Sequence, residues 1–439
     1  MPVMKSILSI AVACLVALGA LGAVRAQQPA DVAPPADAAS GPDAAAQPVA
    51  LPQVTLPTTP DEAAALDKTL YGQQEGSTDT GAEPVAQSRP WKVNLHGSAG
   101  AQYDDNIFIS STGKEWDVIS TLTGGGGVTL GDYTSKADNY LVADYTGIEE
   151  LFGRHTNEDA YEQKALLDSQ VRIAHLTLSG SFQLQDMADG LIDVGTRARC
   201  QTYVGDLGAR YDLNEKTYLE VSAEVAVANY DLFLDSNDER GGLSLEYLPD
   251  PDLTIGIGGM GGVLNVQNSG SQTYEQLLAM LKVDVSAKFT LRASGGVEDR
   301  QLENGRSLAN PIFELTGDYT PFDGLDLNIT GYRRVLNSAS YSGYDYIATG
   351  LSAGVQYEFS PRFTARMDGG YENFNYQETG FNALISRKDN YYYVRPAIRY
   401  TGAQWWNIEI YYLFKTDTST LGTSSFDDTE AGATLGLNF

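Results

Sequence analysis

From Trp91 to Phe439 the chain repeats blocks of roughly 10 to 15 residues in which apolar and polar positions alternate, a period of two that gives one strand two chemically different faces. In the last block Ala431, Ala433, Leu435, Leu437 and Phe439 share one face, and Glu430, Gly432, Thr434, Gly436 and Asn438 share the other. In the block before it Trp406, Ile408, Ile410, Tyr412 and Phe414 alternate with Asn407, Glu409, Tyr411 and Lys415. Leu325, Leu327 and Ile329 against Asp326, Asn328 and Thr330 repeat the pattern, as do Phe289, Leu291 and Ala293 against Lys288, Thr290 and Arg292. A helix would scatter these residues around its circumference, whereas a strand sorts them. Counting the blocks gives about eighteen strands, an even number within the range of single-chain outer-membrane barrels.

The connections alternate as well. Short ones at 213–216, 249–251, 321–323 and 360–362 take turns with longer ones at 104–116, 189–198, 338–345, 376–387 and 417–425. A transmembrane barrel has short periplasmic turns and longer outer loops. If the chain enters from the periplasm at Trp91, every long connection falls outside. A soluble sandwich has no need of that alternation, although a β-helix or a secreted adhesin would share the Gly- and Tyr-rich strands. The expected fold is all-β: a transmembrane antiparallel up-and-down barrel of about 18 strands over residues 91–439, in a Gram-negative outer membrane. Its surroundings would be outer-membrane lipid and lipopolysaccharide, and its insertion would depend on the barrel-assembly machinery.

The N-terminus is consistent with that destination. Lys5 precedes an apolar run from Ile7 to Val24 and a small-residue cleavage pattern at Val24-Arg25-Ala26, which predicts a secretory signal peptide over residues 1–26. Cys14 lies inside the apolar run with no Leu three residues before it, so acylation there is disfavoured. Cleavage would leave Cys200 alone, and no disulfide could form within the mature chain. Eleven of the 17 prolines lie at or before Pro90, and residues 27–58 are mostly Ala, Pro, Asp, Gln and Val, a composition too poor in apolar bulk to order itself. Residues 27–90 therefore read as a disordered periplasmic segment, with one short helix over 60–70 suggested by Thr59-Pro60-Asp61-Glu62.

Two segments resemble known families. Leu435-Gly436-Leu437-Asn438-Phe439 is similar to the terminal aromatic signal that marks outer-membrane barrels for insertion, with Leu435, Leu437 and Phe439 as its apolar members. Tyr103-Asp104-Asp105-Asn106-Ile107-Phe108 resembles the opening strand of the β-barrel porin 2 family. That resemblance implies a barrel of porin type associated with surface-polysaccharide secretion, and a periplasmic polysaccharide-export component as a partner. Pro396 departs from a clean strand, since proline cannot donate to the ladder.

The chemistry expected is passage, not catalysis, and no cofactor is called for. The net charge of -28 repels nucleic acid. Gly350-Leu351-Ser352-Ala353-Gly354 matches a nucleophile pattern, but that pattern needs a strand-to-helix turn and a nearby His, and the histidines are only His96, His155 and His175. Gly256-Ile257-Gly258-Gly259-Met260-Gly261 has the spacing of a dinucleotide loop but no following helix. No zinc-type ligand set is present. Asp104 and Asp105, and Asp231, Asp235 and Asp238, suit Ca²⁺ by donor type but read better as solvated loop carboxylates.

On the face opposite the apolar one lie Glu220, Glu224, Glu314, Asp318, Asp368, Glu372 and Glu409, with Arg292, Arg300, Arg334, Arg366, Arg395 and Arg399. Charges cannot face lipid, where a midplane Arg costs about 2 to 4 kcal/mol, so these residues predict a hydrated lumen. The basic ones gather late in the sequence, which suggests opposed walls of opposite sign and a field across the pore. Local pairing would instead fill the interior. Tyr332, Tyr391, Tyr393 and Tyr411 on the same face suggest platforms for sugar rings. The leading expectation is a conduit for exported polysaccharide; the alternatives are a diffusion porin for small hydrophilic solutes and a closed structural or adhesive barrel.

Overall fold

The computed structural model describes residues 91–439 except 132–138, 303–304, 381–384 and 404. The signal segment, the Pro-rich stretch and the short helix expected at 60–70 lie outside the described residues. The first nine strands are β1 (Trp91–Asp104), β2 (Asp117–Gly131), β3 (Tyr140–Phe152), β4 (Ala160–Ile173), β5 (Leu176–Leu191), β6 (Thr196–Asn214), β7 (Thr217–Tyr230), β8 (Ser236–Asp250) and β9 (Leu253–Val266). The remainder are β10 (Gln272–Ser286), β11 (Phe289–Gln301), β12 (Ser307–Phe322), β13 (Leu325–Asn337), β14 (Tyr344–Ser360), β15 (Phe363–Glu378), β16 (Lys388–Ala403), β17 (Trp406–Ser419) and β18 (Phe426–Asn438).

Each strand pairs antiparallel with its sequence neighbours, and β1 pairs with β18 from His96↔Asn438 to Asp104↔Glu430, closing one 18-stranded sheet. Closure removes the edges whose unpaired backbone groups lipid could not satisfy. Among the described residues no helix is long and apolar enough to cross a membrane. The crossing is made by strands of 13 to 19 residues, longer than the nine to eleven or so that a bilayer requires, so they project beyond it.

Two-residue turns at 174–175, 215–216, 251–252, 287–288, 323–324 and 361–362 join the strands at one end. Two of the six place a residue at positive φ, Gly324 at +85° without strain and Ala174 at +52°, and the other four turn without one. The other end carries loops at 105–116, 153–159, 231–235, 338–343, 379–387 and 420–425. The connection expected over 189–198 is only 192–195, because β5 and β6 pair as far as Leu191↔Thr196. Short turns and both barrel termini share the periplasmic side, and the loops face outward.

The outer surface is apolar. Leu277 is 62% exposed and Ile410 63%, and Leu243, Leu245, Ile255 and Ile257 face the same way; an apolar surface of this extent belongs in hydrocarbon, not water. At the turn end an aromatic girdle runs from Phe359 stacked on Phe363, through Phe363 against Tyr400 at 5.0 Å and Tyr400 against Trp406, to Trp405 stacked on Phe439 at 6.2 Å. At the loop end Tyr103, Trp116, Tyr145, Tyr161, Tyr392 and Tyr412 are exposed. An apolar belt between two aromatic girdles makes this a barrel of the Gram-negative outer membrane.

Pro396 is absorbed without a slip. It pairs with Met367 of β15, while the contact with β17 resumes from Val394↔Phe414 to Ala397↔Tyr411 in unchanged register. Phe439 is held by reciprocal backbone hydrogen bonds with Leu95 of 2.8 and 2.9 Å. Leu435 and Phe439 are exposed on the outer surface.

The buried apolar clusters lie at the loop end. The largest joins Ile109, Ile192, Tyr346, Ala348, Phe374, Tyr376, Tyr391 and Phe426; a second joins Leu191, Val194, Ala198 and Ala339.

Candidate pore and its loop-bridged mouth

Strand parity sets what can line the interior. With the exposed apolar residues facing lipid, the alternate positions face inward, and the thirteen charged residues singled out in the sequence have that parity in β7, β11 to β13 and β15 to β17. Toward the turn end the Arg292 guanidinium lies 3.1 Å from Asp318 and that of Arg366 2.7 Å from Asp368. Arg395 and Arg399 each reach Glu409 at 2.8 Å. Glu220 stands opposite Arg210 in the register and Glu314 opposite Tyr332. Arg334 stacks over the Tyr332 ring at 3.8 Å, and the Tyr332 hydroxyl hydrogen-bonds Glu372.

These charges do not divide into a basic and an acidic wall. Five of the six arginines meet a carboxylate on their own strand or a neighbour, Arg334 stacking on Tyr332 instead, and the early strands supply bases too: Arg240 pairs with Glu224 at 2.6 Å and Arg210 with Asp212 at 2.9 Å. The transverse field inferred from sequence is replaced by local neutralisation, because opposite charges a few ångströms apart screen each other before any field reaches across the lumen.

Nearer the loops the interior is packed. Arg300, 5% exposed, bonds Glu298 at 2.8 Å and Asp345 at 3.1 Å. Tyr391 is buried in the large cluster and Tyr332 and Tyr393 pack against it, while Tyr411 donates to Gln102 at 2.6 Å. They are not free platforms for sugar rings, contrary to the expectation.

Two connections from far walls meet here. The 192–195 loop joins β5 to β6 and the 338–343 loop joins β13 to β14, eight strands further round an 18-stranded wall. Asp193 accepts hydrogen bonds from Ser338 Oγ at 2.8 Å, Ala339 N at 2.5 Å and Tyr376 Oη at 2.9 Å. Ser340 Oγ donates to the Asp193 carbonyl at 2.6 Å. Arg387 donates to the carbonyls of Ile192 at 2.6 Å and Asp193 at 3.0 Å, and its Nε lies 2.8 Å from Asp389. Leu234 N, from the loop after β7, bonds the Ala339 carbonyl at 2.9 Å, and Ser269, from the loop after β9, bonds Ser342. The 192–195 loop is thus clasped from the opposite wall across the mouth.

Asp193 and Arg387 were not singled out in the sequence. The visible trace was Ile192 and Val194 beside Asp193 in an outer connection, apolar residues with no reason to be there unless the loop folds inward.

Of the two motifs with enzymatic spacing, Ser352 lies mid-strand in β14 between Thr330 and Gly370, and residues 256–261 lie within β9. Neither has the turn into a helix that its chemistry requires. His155 belongs to the outer rim: Nδ1 is 2.8 Å from Asp117 and Nε2 2.6 Å from Glu115, and hydrogen bonds to these two carboxylates raise its pKa above 6.5.

No family model matches the chain. No curated protein matches it either. Solved structures share its barrel form: OccAB4 of Acinetobacter baumannii at 11% identity, covering 79% of this chain and 98% of that one with a TM-score of 0.43, and OccK3 (OpdO) of Pseudomonas aeruginosa at 13% identity, 80% and 95% coverage and a TM-score of 0.42. The siderophore receptor PirA of Pseudomonas aeruginosa is similar at 9% identity, 79% and 80% coverage and a TM-score of 0.38. At these values the likeness carries no residue role to this chain. The resemblance of residues 103–108 to the β-barrel porin 2 family has no matching family model behind it.

Proposed function

We propose that the protein is a gated outer-membrane channel for small hydrophilic solutes, shut at its outer mouth by the clasp between 192–195 and 338–343. The observation that carries this reading is the set of hydrogen bonds Asp193 accepts from the far wall. A lumen of paired charges holds water and disfavours apolar solutes, and a loop held by side-chain bonds across a mouth has two arrangements to choose between. Export of a polysaccharide, the leading expectation from sequence, asks more of the same mouth. A polymer needs the whole clasp open for as long as it threads, and the ring platforms that would guide it are engaged in packing.

The test is planar-bilayer recording of the wild-type barrel beside Asp193→Ala, with liposome swelling in sugars of increasing length. The solute reading expects rare openings in the wild type, frequent openings in the variant, and swelling that stops at short oligosaccharides. A barrel that stays silent with Asp193, Arg387 and the 338–343 loop all altered is a closed structural barrel. Passage of long polysaccharide chains would favour the export reading.

A further inference from the structure

The Tyr103–Phe108 segment has no part in the clasp, yet its conformation is tightly fixed. Asn106 is fully buried; its backbone N–H bonds Asp104 Oδ1 at 2.7 Å and its Nδ2 bonds the Asp427 carbonyl at 2.9 Å. Asp105 N bonds the Thr429 carbonyl at 3.1 Å, and Asp105 Oδ1 accepts from Thr429 N at 2.9 Å. These contacts dock the end of the first strand on the last one, at the seam where the barrel closes.

They also gather charge. Asp104, Asp105 and Asp428 each bring a carboxylate oxygen within 4.8 Å of one from the other two. Asp104 and Asp428 are buried, which corrects the expectation that Asp104 is a solvated loop carboxylate. The Asp428 side chain is 1% exposed with Oδ2 at 2.8 Å from Lys415 Nζ, and its Oδ1 has no hydrogen-bond partner. Lys415 is shared with Glu430, whose carboxylate it meets at 2.5 Å. Asp427 turns away to pair with Lys114. One ammonium therefore serves two carboxylates, Asp428 and Glu430, with the buried Asp104 close beside Asp428, and a buried anion without a matching cation or donor is strongly disfavoured.

We propose that Asp104, Asp105 and Asp428 bind a divalent cation of the hard, oxygen-preferring class, Ca²⁺ foremost, at the outer end of the β1–β18 seam. Three carboxylates from two chain segments, with no nitrogen or sulfur donor among them, suit Ca²⁺ rather than zinc or copper. Mg²⁺ demands stricter octahedral geometry and gives up its water less readily. The bound ion joins first strand, last strand and outer loop, and supplies the charge that Lys415 alone does not. Asp105 is half-buried, so the site opens toward the external medium, where dissociation constants on the order of 10⁻⁴ to 10⁻³ M are usual for calcium modules.

The experiment uses the folded barrel in detergent, free of lipopolysaccharide and stripped with EDTA. Equilibrium dialysis against Ca²⁺ alone is expected to give one saturable site in the wild type that is lost in Asp105→Asn and Asp428→Asn. Asparagine keeps an oxygen for the Thr429 N–H but removes the charge. Ca²⁺ should raise the melting temperature of the wild type and not of the variants, and Mg²⁺ should do so less. Should Asp428→Asn fail to fold, Asp105→Asn reads the same site, and Tb³⁺ on the wild type gives a second measurement, with Tyr103 and Trp116 as sensitisers. Equal Ca²⁺ uptake by wild type and Asp105→Asn, or no Tb³⁺ emission that Ca²⁺ competes away, would overturn the assignment. None of these readouts depends on conductance, so they stand or fall apart from the channel reading.

Discussion

The two halves of the barrel interior use the same ingredients to opposite ends. Toward the periplasmic turns the guanidinium side chains of Arg366 and Arg399 are 32% and 39% exposed beside their carboxylates. Toward the outer loops Arg387 and Arg300 are 1% and 5% exposed in pairs of equal length. In the first half water shares the work of solvating each ion, so a pair contributes little to stability and is free to meet a solute. In the second half the pair has only itself and the surrounding carbonyls, so losing one member strands the other in a dry interior. An ion pair therefore says nothing about pore or plug until its exposure is known.

The largest contrast should come from truncating one arginine in each half. Arg387→Ala leaves Asp389 buried and frees the Ile192 and Asp193 carbonyls, with an expected loss of about 3 to 5 kcal/mol. Arg366→Ala should cost about 1 kcal/mol or less. Equilibrium unfolding in urea from detergent would compare them, and equal losses would erase the distinction between the halves.

Next comes the clasp itself. Removing the Asp193 carboxylate withdraws a charged acceptor of several hydrogen bonds, weakening the closed mouth by about 3 kcal/mol, on the order of a hundredfold in the ratio of closed to open. The open fraction in single-channel records of Asp193→Ala measures it directly.

A smaller effect is expected in the wet half. In the Asp193→Ala background, Glu409→Gln leaves Arg395 and Arg399 without their shared anion, and the permeability ratio should move toward anions by about twofold. Reversal potentials in a salt gradient report the shift, and no movement would mean that ions take a path away from these side chains.

The smallest is a pH effect at the rim. His155 titrates above 6.5 because Asp117 and Glu115 hold its charged form. A folded-state pKa above the unfolded one adds stability that is complete below the unfolded value and disappears as pH rises through the folded one. Amide exchange in residues 153–159 should therefore quicken on the alkaline side of the His155 titration by more than its intrinsic base dependence, and His155→Gln should abolish that excess. An unchanged profile in the variant would place the rim's docking in other contacts.

Much of this was legible in the residues alone. Alternation such as Trp406, Ile408, Ile410 and Tyr412 against Asn407, Glu409 and Tyr411 fixes which side of a strand meets lipid, because side-chain direction reverses at every residue. The same parity assigns Arg366, Asp368 and Glu409 to the face away from lipid, and the contrast of connection lengths predicts the orientation. The wall of one sign failed, since a count of charges along the chain does not reveal that Arg240 sits across from Glu224.

The barrel follows from the residues alone: a period of two, carried through about eighteen blocks, leaves closure as the way to satisfy every strand in lipid. What no local pattern records is that the 192–195 loop meets 338–343 across the mouth and that Asp104 meets Asp428. Both depend on residues far apart in the chain, 193 with 339 and 104 with 428, brought together by the circumference of the wall and by the seam. Local patterning encodes faces; it holds no record of which loops reach across, because that is set by the closed ring and the desolvation it imposes.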